Sequence, residues 1–285
     1  MTNPIVLVHI SDIHFVNDQT LLRGLRENGR FFTKQHLGWL NYNLRRRHHF
    51  EATLKYRLLS RLNEIDWDYL VISGDLTTLS LDREFRKARD AIAPLIQKGN
   101  VLLTAGNHDR YTRESAGTDP IRTFFSDCWP YNRNPTHQSE ANIYELDDNT
   151  ILLELDMATP RNFFSSRGKT LNNLESIENT LKKYHKNKVK VAIGHYPAFL
   201  PPDEHEGYFH EIPKKKELQQ FLLRCEIDFY LHGHIHKSWM FKPDEEADLL
   251  CINSGGCCRY LEGEWAGFHR IEINSEKTTV ERILI

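Results

Sequence analysis

Val101-Leu102-Leu103-Thr104-Ala105-Gly106-Asn107-His108-Asp109 is a short apolar run that breaks into a glycine followed by a carboxamide, an imidazole and a carboxylate. The arrangement recurs along the chain. Ile5 to Ile10 leads to Asp12-Ile13-His14, Tyr69 to Ile72 to Gly74-Asp75, Val189 to Ile193 to Gly194-His195, and Ile227 to Leu231 to Gly233-His234-Ile235-His236. Runs this apolar and this rich in β-branched residues read as buried parallel strands. Open α/β sheets build their sites in the crevice beyond the carboxyl ends of such strands, so blocks spread over most of the chain are expected to converge in space.

The donors in the blocks decide the chemistry. Carboxylate, carboxamide and imidazole are hard or borderline ligands, and no cysteine stands inside any block. This points to manganese, iron, zinc or magnesium rather than to a thiolate site. Each block alone has an ordinary reading. Asp12-Ile13-His14 serves equally as a helix cap or turn, Gly74-Asp75 as a turn, and Gly106 to Asp109 as a strand-to-helix turn with a capping Asn. In Gly233 to His236 an extended backbone would project both imidazoles to one side, whereas His232 reads as a histidine outside the site. Five blocks in order, each behind a strand, are what make a two-metal site.

The order D-x-H, G-D, G-N-H-D, G-H, G-H-x-H resembles the calcineurin-like metallophosphoesterases, and all five of that family's blocks are present. Residue by residue, the resemblance implies that Asp12, His14 and His236 hold a first metal and Asn107, His195 and His234 a second, with Asp75 bridging them. It implies further that His108 is not a ligand but contacts the phosphate, and that Asp109 orients the His108 imidazole. Two cations roughly 3.5 to 4 Å apart can clamp a phosphoryl group and lower the pKa of a bridging water. A protonated imidazole opposite can stabilise equatorial oxygens or protonate a leaving alkoxide. The cofactors expected are thus two divalent or mixed-valence ions, Mn, Fe or Zn.

A chain of 285 residues with 40% hydrophobic content can bury a large core, and it reads as a single domain over 1–285 with insertions. A net charge of −2 gives no global attraction to nucleic acid or anionic membrane. Met1-Thr2-Asn3-Pro4 runs straight into the first strand without the pattern of a signal peptide, and no apolar run of about 18 residues appears. Cys128, Cys225, Cys251, Cys257 and Cys258 are odd in number and lack zinc-finger spacing, which fits a reduced, cytoplasmic protein.

Strands and helices alternate up to Leu103, followed by a polar stretch from Tyr111 to Gln138 that reads as loop and short helix. Asn142 to Leu146 and Thr150 to Leu155 flank the hairpin signal Asp147-Asp148-Asn149. Leu171 to Tyr184 is helical in spacing. Beyond Lys237 the chain reads as a meander of strands at Trp239 to Lys242, Leu249 to Asn253, Gly267 to Ile273 and Thr278 to Leu284. Two sets of strands imply two mixed β-sheets packed face to face with helices outside, the α/β four-layer αββα sandwich that the resemblance also implies.

The individual part is a basic and aromatic insertion at about 23–61, with the cluster Arg45-Arg46-Arg47-His48-His49 and with Phe31, Phe32, Trp39 and Tyr42. Leu37, Leu40 and Leu44 keep helical spacing, so the 31–47 segment is expected to hold an amphipathic helix. Three readings stay open for it: a helix packed on the core with a solvated basic face, a substrate-gripping cap, or a peripheral membrane contact. Pro201 to Gly207 reads as an acidic loop at the rim, and Asn253 to Gly256 as a strand end approaching the site through its backbone.

The expected activity is hydrolysis of a phosphate ester by attack of metal-bound water. Compact relatives with D-x-H near the start and G-N-H-D third include class III cyclic nucleotide phosphodiesterases, which favours a phosphodiester such as a 3',5'-cyclic nucleotide. The fourth block here is Gly194-His195-Tyr196-Pro197, where bacterial cyclic nucleotide enzymes often carry a run of histidines. The alternatives are a nuclease gripping nucleic acid through the basic insertion, a UDP-diacylglucosamine-type lipid pyrophosphatase, and a metal-dependent interaction scaffold without activity.

Overall fold

The computed structural model describes residues 4–16, 34–41, 52–133, 140–162, 165–184, 188–260, 265–274 and 278–285. The chain forms two sheets. The first has the order β11-β10-β1-β2-β3, with β1 at Ile5–Ile10, β2 at Tyr69–Ile72, β3 at Asn100–Leu103, β10 at Gly267–Ile273 and β11 at Thr278–Leu284. The second has the order β4-β5-β6-β7-β9-β8, with β4 at Ala141–Glu145, β5 at Thr150–Leu155, β6 at Val189–Gly194, β7 at Phe229–His232, β8 at Ser238–Phe241 and β9 at Leu250–Ser254. β1, β2 and β3 run parallel, as do β5, β6, β7 and β9.

Alternation along the strands builds the layers. In β1, Val8 and Ile10 face helices, whereas Ile5 and Leu7 face the other sheet. The outward residues of the first sheet pack on α2 (Ala52–Glu64) and α3 (Asp82–Lys98) through Leu58, Leu62, Phe85, Ala88, Ile92 and Leu95. These residues recur three or four apart and so form one stripe on each helix. The second sheet packs on α6 (Leu174–Leu181) and α7 (Lys215–Arg224) through Leu181, Leu218, Phe221 and Leu222. Between the sheets, Leu7, Val71, Leu102 and Ile271 meet Leu152, Val191, Leu231 and Ile252. Strands covered on both faces need continuous apolar runs, which is what the sequence shows. The result is the αββα sandwich.

Three expectations are corrected. The segment beyond Lys237 is not one meander: β8 and β9 join the second sheet, while β10 returns to pair antiparallel with β1, Ile5 opposite Ile273. The helix expected over Leu171 to Tyr184 is confined to Leu174–Leu181, with Asn173 in the left-handed region at φ 67° before it. Of the 31–47 segment, α1 is described over Lys34–Asn41, and its Leu37 and Leu40 are exposed rather than packed. Polar and small residues of α1 make close contacts. Gln35 donates to the Leu79 carbonyl at 3.1 Å, and Gly38 lies so close that a β-carbon there would meet the Tyr111 hydroxyl at 2.5 Å. Phe31, Phe32, Tyr42, Leu44 and the cluster Arg45 to His49 lie outside the described residues. The Tyr111 to Gln138 stretch holds α4 (Arg113–Thr118) and α5 (Pro120–Phe124) as far as it is described.

Candidate metal centre

The loops that leave β1, β2 and β3 meet those that leave β6 and β7 at one end of the inter-sheet layer. They bring together Asp12, His14, Asp75, Asn107, His195, His234 and His236, and His108 with them. The loops achieve this through unusual backbone. Asp12, His14, Asp75, His234 and His236 have φ of 57°, 51°, 54°, 75° and 57°. A non-glycine residue held there costs on the order of 1–3 kcal/mol and persists only where its surroundings over-determine it. Gly74, at φ 100°, leaves β2 where a β-carbon would meet the His195 Nδ1 at 2.6 Å. Only glycine suits that position.

Hydrogen bonds point the donor atoms inward. Asp12 Oδ2 accepts the His234 backbone N–H at 3.0 Å, and Asp75 Oδ1 accepts that of His108 at 2.8 Å. The other oxygens, Asp12 Oδ1 and Asp75 Oδ2, are buried with no hydrogen-bond donor. His14 donates from Nδ1 to the Thr77 carbonyl at 3.1 Å, and His195 donates from Nδ1 to the Ser73 carbonyl at 2.8 Å. Each therefore turns a bare Nε2 to the site. His234 is reversed: Nε2 donates to the His210 carbonyl at 3.1 Å, which leaves Nδ1 facing the site.

These acceptors crowd one another. Asp12, His14, Asp75 and His236 each offer a ligand atom, and the four atoms lie within 4.8 Å of one another. His14 Nε2 and His236 Nε2 are 3.0 Å apart, and His236 Nε2 is 3.2 Å from Asp12 Oδ1. On the other side, His195 Nε2 lies 3.1 Å from Asn107 Oδ1, 3.3 Å from His234 Nδ1 and 3.4 Å from Asp75 Oδ2. Asp75 Oδ2 is also 3.7 Å from His14 Nε2, so it stands between the two groups. Buried lone pairs at such distances repel unless positive charge lies among them. The donor set fits one cation in each group, and the orphaned carboxylate oxygens are the observation that supports the fit. Protonation responds to the same field. Burial opposes charge on His195, but Asp75 overrides it and raises that imidazole to about 9, so a proton occupies its Nε2 wherever a cation does not. Burial likewise opposes charge on Asp12, yet His236 beside it holds the carboxyl below its usual range.

The Gly233 to His236 segment is not the extended one expected. With both histidines in left-handed backbone, His236 serves the Asp12 and His14 group while His234 serves the His195 group. Asp109 is the second correction. Its carboxylate accepts from the Gly106 and Thr77 backbone N–H at 3.0 and 2.9 Å, the Thr77 hydroxyl at 3.0 Å and the Leu76 N–H at 3.3 Å, and not from His108. It ties the loop after β3 to the loop after β2. The His108 imidazole is oriented instead by the Thr78 carbonyl, which accepts from Nδ1 at 2.6 Å, and by the Tyr111 ring stacked on it at 5.3 Å.

Beneath the centre lies a buried polar array that the sequence reading passed over. Ser254 Oγ joins His269 Nδ1 at 2.6 Å to His9 Nδ1 at 3.0 Å, and His9 Nε2 reaches Ser73 Oγ at 2.8 Å. Ser73 is the residue whose carbonyl orients His195. One signal was available, a histidine at an inward position of the apolar strand β1. His232 is buried against Tyr230 and Trp239, outside the donor set as expected. From the insertion, Lys55 is buried and donates to the His14 carbonyl, and Lys34 lies 4.3 Å from the Tyr111 ring centroid while donating to the Arg161 and Ser165 carbonyls. In the acidic loop, Glu206 pairs with Lys215 at 2.6 Å and stands 3.4 Å from His234 Nε2. Gly255 confirms a close backbone approach, since a β-carbon there would meet the His236 nitrogen at 2.9 Å.

The sandwich and its paired carboxylate and imidazole donors define a metallophosphoesterase. The family model of the calcineurin-like phosphoesterases matches residues 5–238, and the chain belongs to that family. It is 27% identical over 157 residues to a probable cyclic nucleotide phosphodiesterase of Vesicomyosocius okutanii, covering 49% of this chain and 66% of that one. In fold it is similar to a dimetal phosphatase from Danio rerio, with TM-score 0.66, 13% identity and coverage of 98% of this chain and 96% of the other. It is also similar to a purple acid phosphatase from yellow lupin seeds, with TM-score 0.65, 11% identity and coverage of 100% and 52%.

Proposed function

We propose that the protein hydrolyses a phosphodiester, a 3',5'-cyclic nucleotide in the first instance, and that Asp12, His14 and His236 hold one metal and Asn107, His195 and His234 another, bridged by Asp75. The observation that carries the two-metal reading is the orphaned Asp75 Oδ2 standing between two groups of inward-facing lone pairs. The choice of a cyclic nucleotide is supported by the name of the Vesicomyosocius relative. Bound cations would neutralise phosphate oxygens and bring a water's pKa toward neutrality.

The chain's own residues supply the rest. His108 spends its Nδ1–H on the Thr78 carbonyl, so the proton it can give or share with substrate sits on Nε2. Its ring lies edge-on to His14 at 5.0 Å, which sets it beside the donor cluster where a leaving oxygen can be protonated. Tyr111 stacks on the ring and limits its rotation. The thiols of Cys128, Cys225, Cys251, Cys257 and Cys258 are all free and buried, which supports a reduced, cytoplasmic setting as part of the proposal.

The test compares bis-p-nitrophenyl phosphate with p-nitrophenyl phosphate on manganese-loaded protein, then 3',5'-cyclic AMP. Preference for the diester and turnover of cyclic AMP are expected. In His108→Ala, metal content should be retained while kcat falls by roughly 10²–10⁴. Preference for the monoester would sink the diester reading. Silence on both esters despite bound metal would favour a lipid pyrophosphate substrate or a scaffold, and salt-sensitive cleavage of polynucleotide would favour the nuclease.

A further inference from the structure

Two aromatic side chains in the segment after Gly207 lie outside every core cluster: Tyr208 is 64% exposed and Phe209 58%. Their rings meet edge to face with centroids 5.5 Å apart. An exposed aromatic pair on a loose loop would carry no meaning, but this backbone is held. The Phe209 carbonyl accepts from the Ser166 N–H at 2.9 Å and the Ser165 hydroxyl at 3.3 Å, while His210 N–H donates to the Gly207 carbonyl at 2.8 Å. The next carbonyl, that of His210, is the one that fixes the His234 ring. Consecutive Cα atoms are 3.8 Å apart, so the backbone of both aromatic residues stands within about 8 Å of the His210 Cα.

The surroundings choose among ligands. The Arg167 guanidinium lies 4.1 Å from the Tyr208 ring centroid and is itself anchored to the Glu211 carbonyl at 3.4 Å. Glu204, Glu206, Lys215 and Lys237 form ion pairs on the same loop and its neighbours. An acyl chain needs a contiguous apolar surface, and among the described residues the apolar surface here is two rings set among charges. A flat, polar-edged π system suits that setting: it stacks on an aromatic face, and its edge atoms find charged partners.

We propose that Tyr208 and Phe209 form a stacking platform for the nucleobase of the substrate and determine its specificity. The inference rests on the phosphodiesterase reading of the adjacent centre for the phosphate end of that substrate. The platform recognises the base whatever becomes of the phosphate, so the two can be tested apart.

Binding of adenosine 5'-monophosphate and of ribose 5-phosphate to manganese-loaded protein is measured by calorimetry, in the wild type and in Tyr208→Ala, Phe209→Ala, Tyr208→Phe and, as a remote exposed-aromatic control, Tyr56→Ala. The nucleotide should bind about 5- to 100-fold more tightly than the sugar phosphate, the range of base stacking on one aromatic side chain. The ratio should fall toward one in the two alanine variants and stay in Tyr208→Phe and Tyr56→Ala, with metal content and ribose 5-phosphate affinity unchanged throughout. Equal affinities in the wild type, a preference that survives both alanine substitutions, or no binding of either ligand would overturn the proposal. Loss of sedimentation with phosphatidylglycerol vesicles in the alanine variants, with a wild-type ratio of one, would overturn it in favour of a lipid surface. If cyclic AMP is not hydrolysed but the ratio behaves as stated, the cyclic-nucleotide reading fails and the platform stands.

Discussion

At the scale of single residues, one atom sorts the site. Asp75 Oδ2 is buried, without a hydrogen-bond donor, and shared between His14 and His195. In Asp75→Asn a neutral amide replaces the shared charge, so both metal positions should weaken together. Elemental analysis after dialysis is expected to give less than half of wild-type metal, and retention of full metal with full activity would refute the bridge. Asp109 has a different task. Burial, and then the Asp75 charge, raise its carboxyl to about 6, while four donors hold it. In Asp109→Asn one oxygen becomes an NH2 that cannot accept, which leaves buried backbone donors unpaired at about 1–3 kcal/mol. Denaturant unfolding should show that loss, and a stable variant with altered pH dependence of turnover would restore the imidazole-orienting role.

At the scale of elements, the position of each inward-facing donor depends on how a strand is left. β2 is followed by Ser73, Gly74 and the left-handed Asp75, and the approach of Gly106 and His195 leaves no room for a side chain at Gly74. Gly74→Ala adds a β-carbon at positive φ against His195 and the Gly106 backbone. A stability loss of more than about 1 kcal/mol is expected, together with loss of metal, because the displaced ring is the one that Ser73 and Asp75 orient. Thermal melts and metal content read the two effects separately. Unchanged metal content would show that the loop tolerates the shift. α1 teaches the opposite lesson about patterns. Its leucines keep helical spacing but are exposed, while Lys34, Gln35 and Gly38 make close contacts, so periodicity named the helix and not the face it uses.

At the scale of the whole molecule, the inter-sheet layer joins an apolar core to the polar array beneath the centre. His269 is pushed down to about 3 by burial and then by the Arg282 charge, and His9 is lowered by burial and by neighbouring imidazoles. An unfolded histidine titrates near 6.5. Below that pH the unfolded chain binds protons that the folded one refuses, so stability present above pH 6.5 is lost as the pH falls toward 3. For His269 the loss is roughly 2 kcal/mol between pH 6.5 and 5. Urea midpoints should fall over that interval, and His269→Gln should make the fall shallower. An equal slope in the variant would show that other groups carry the acid sensitivity.

The strands, their order of blocks and the donor types were legible in the sequence, because a strand covered on both faces must be apolar throughout and the polar residues that interrupt such runs stand out. Local chemistry also separated His232 from the histidines of the site. What tertiary structure decided were matters of partnership. The pairing of β10 with β1, which assigns the end of the chain to the first sheet, depends on contacts between residues 260 or more positions apart. The direction of each imidazole depends on which distant carbonyl takes its N–H: Thr77 for His14, Ser73 for His195, His210 for His234. The same holds for Asp109, which sits next to His108 in the chain yet spends its carboxylate on the Gly106 N–H and on the loop after β2. Sequence determines which groups can bind a cation or move a proton, and only the packing of two sheets determines which lone pairs are left facing one another.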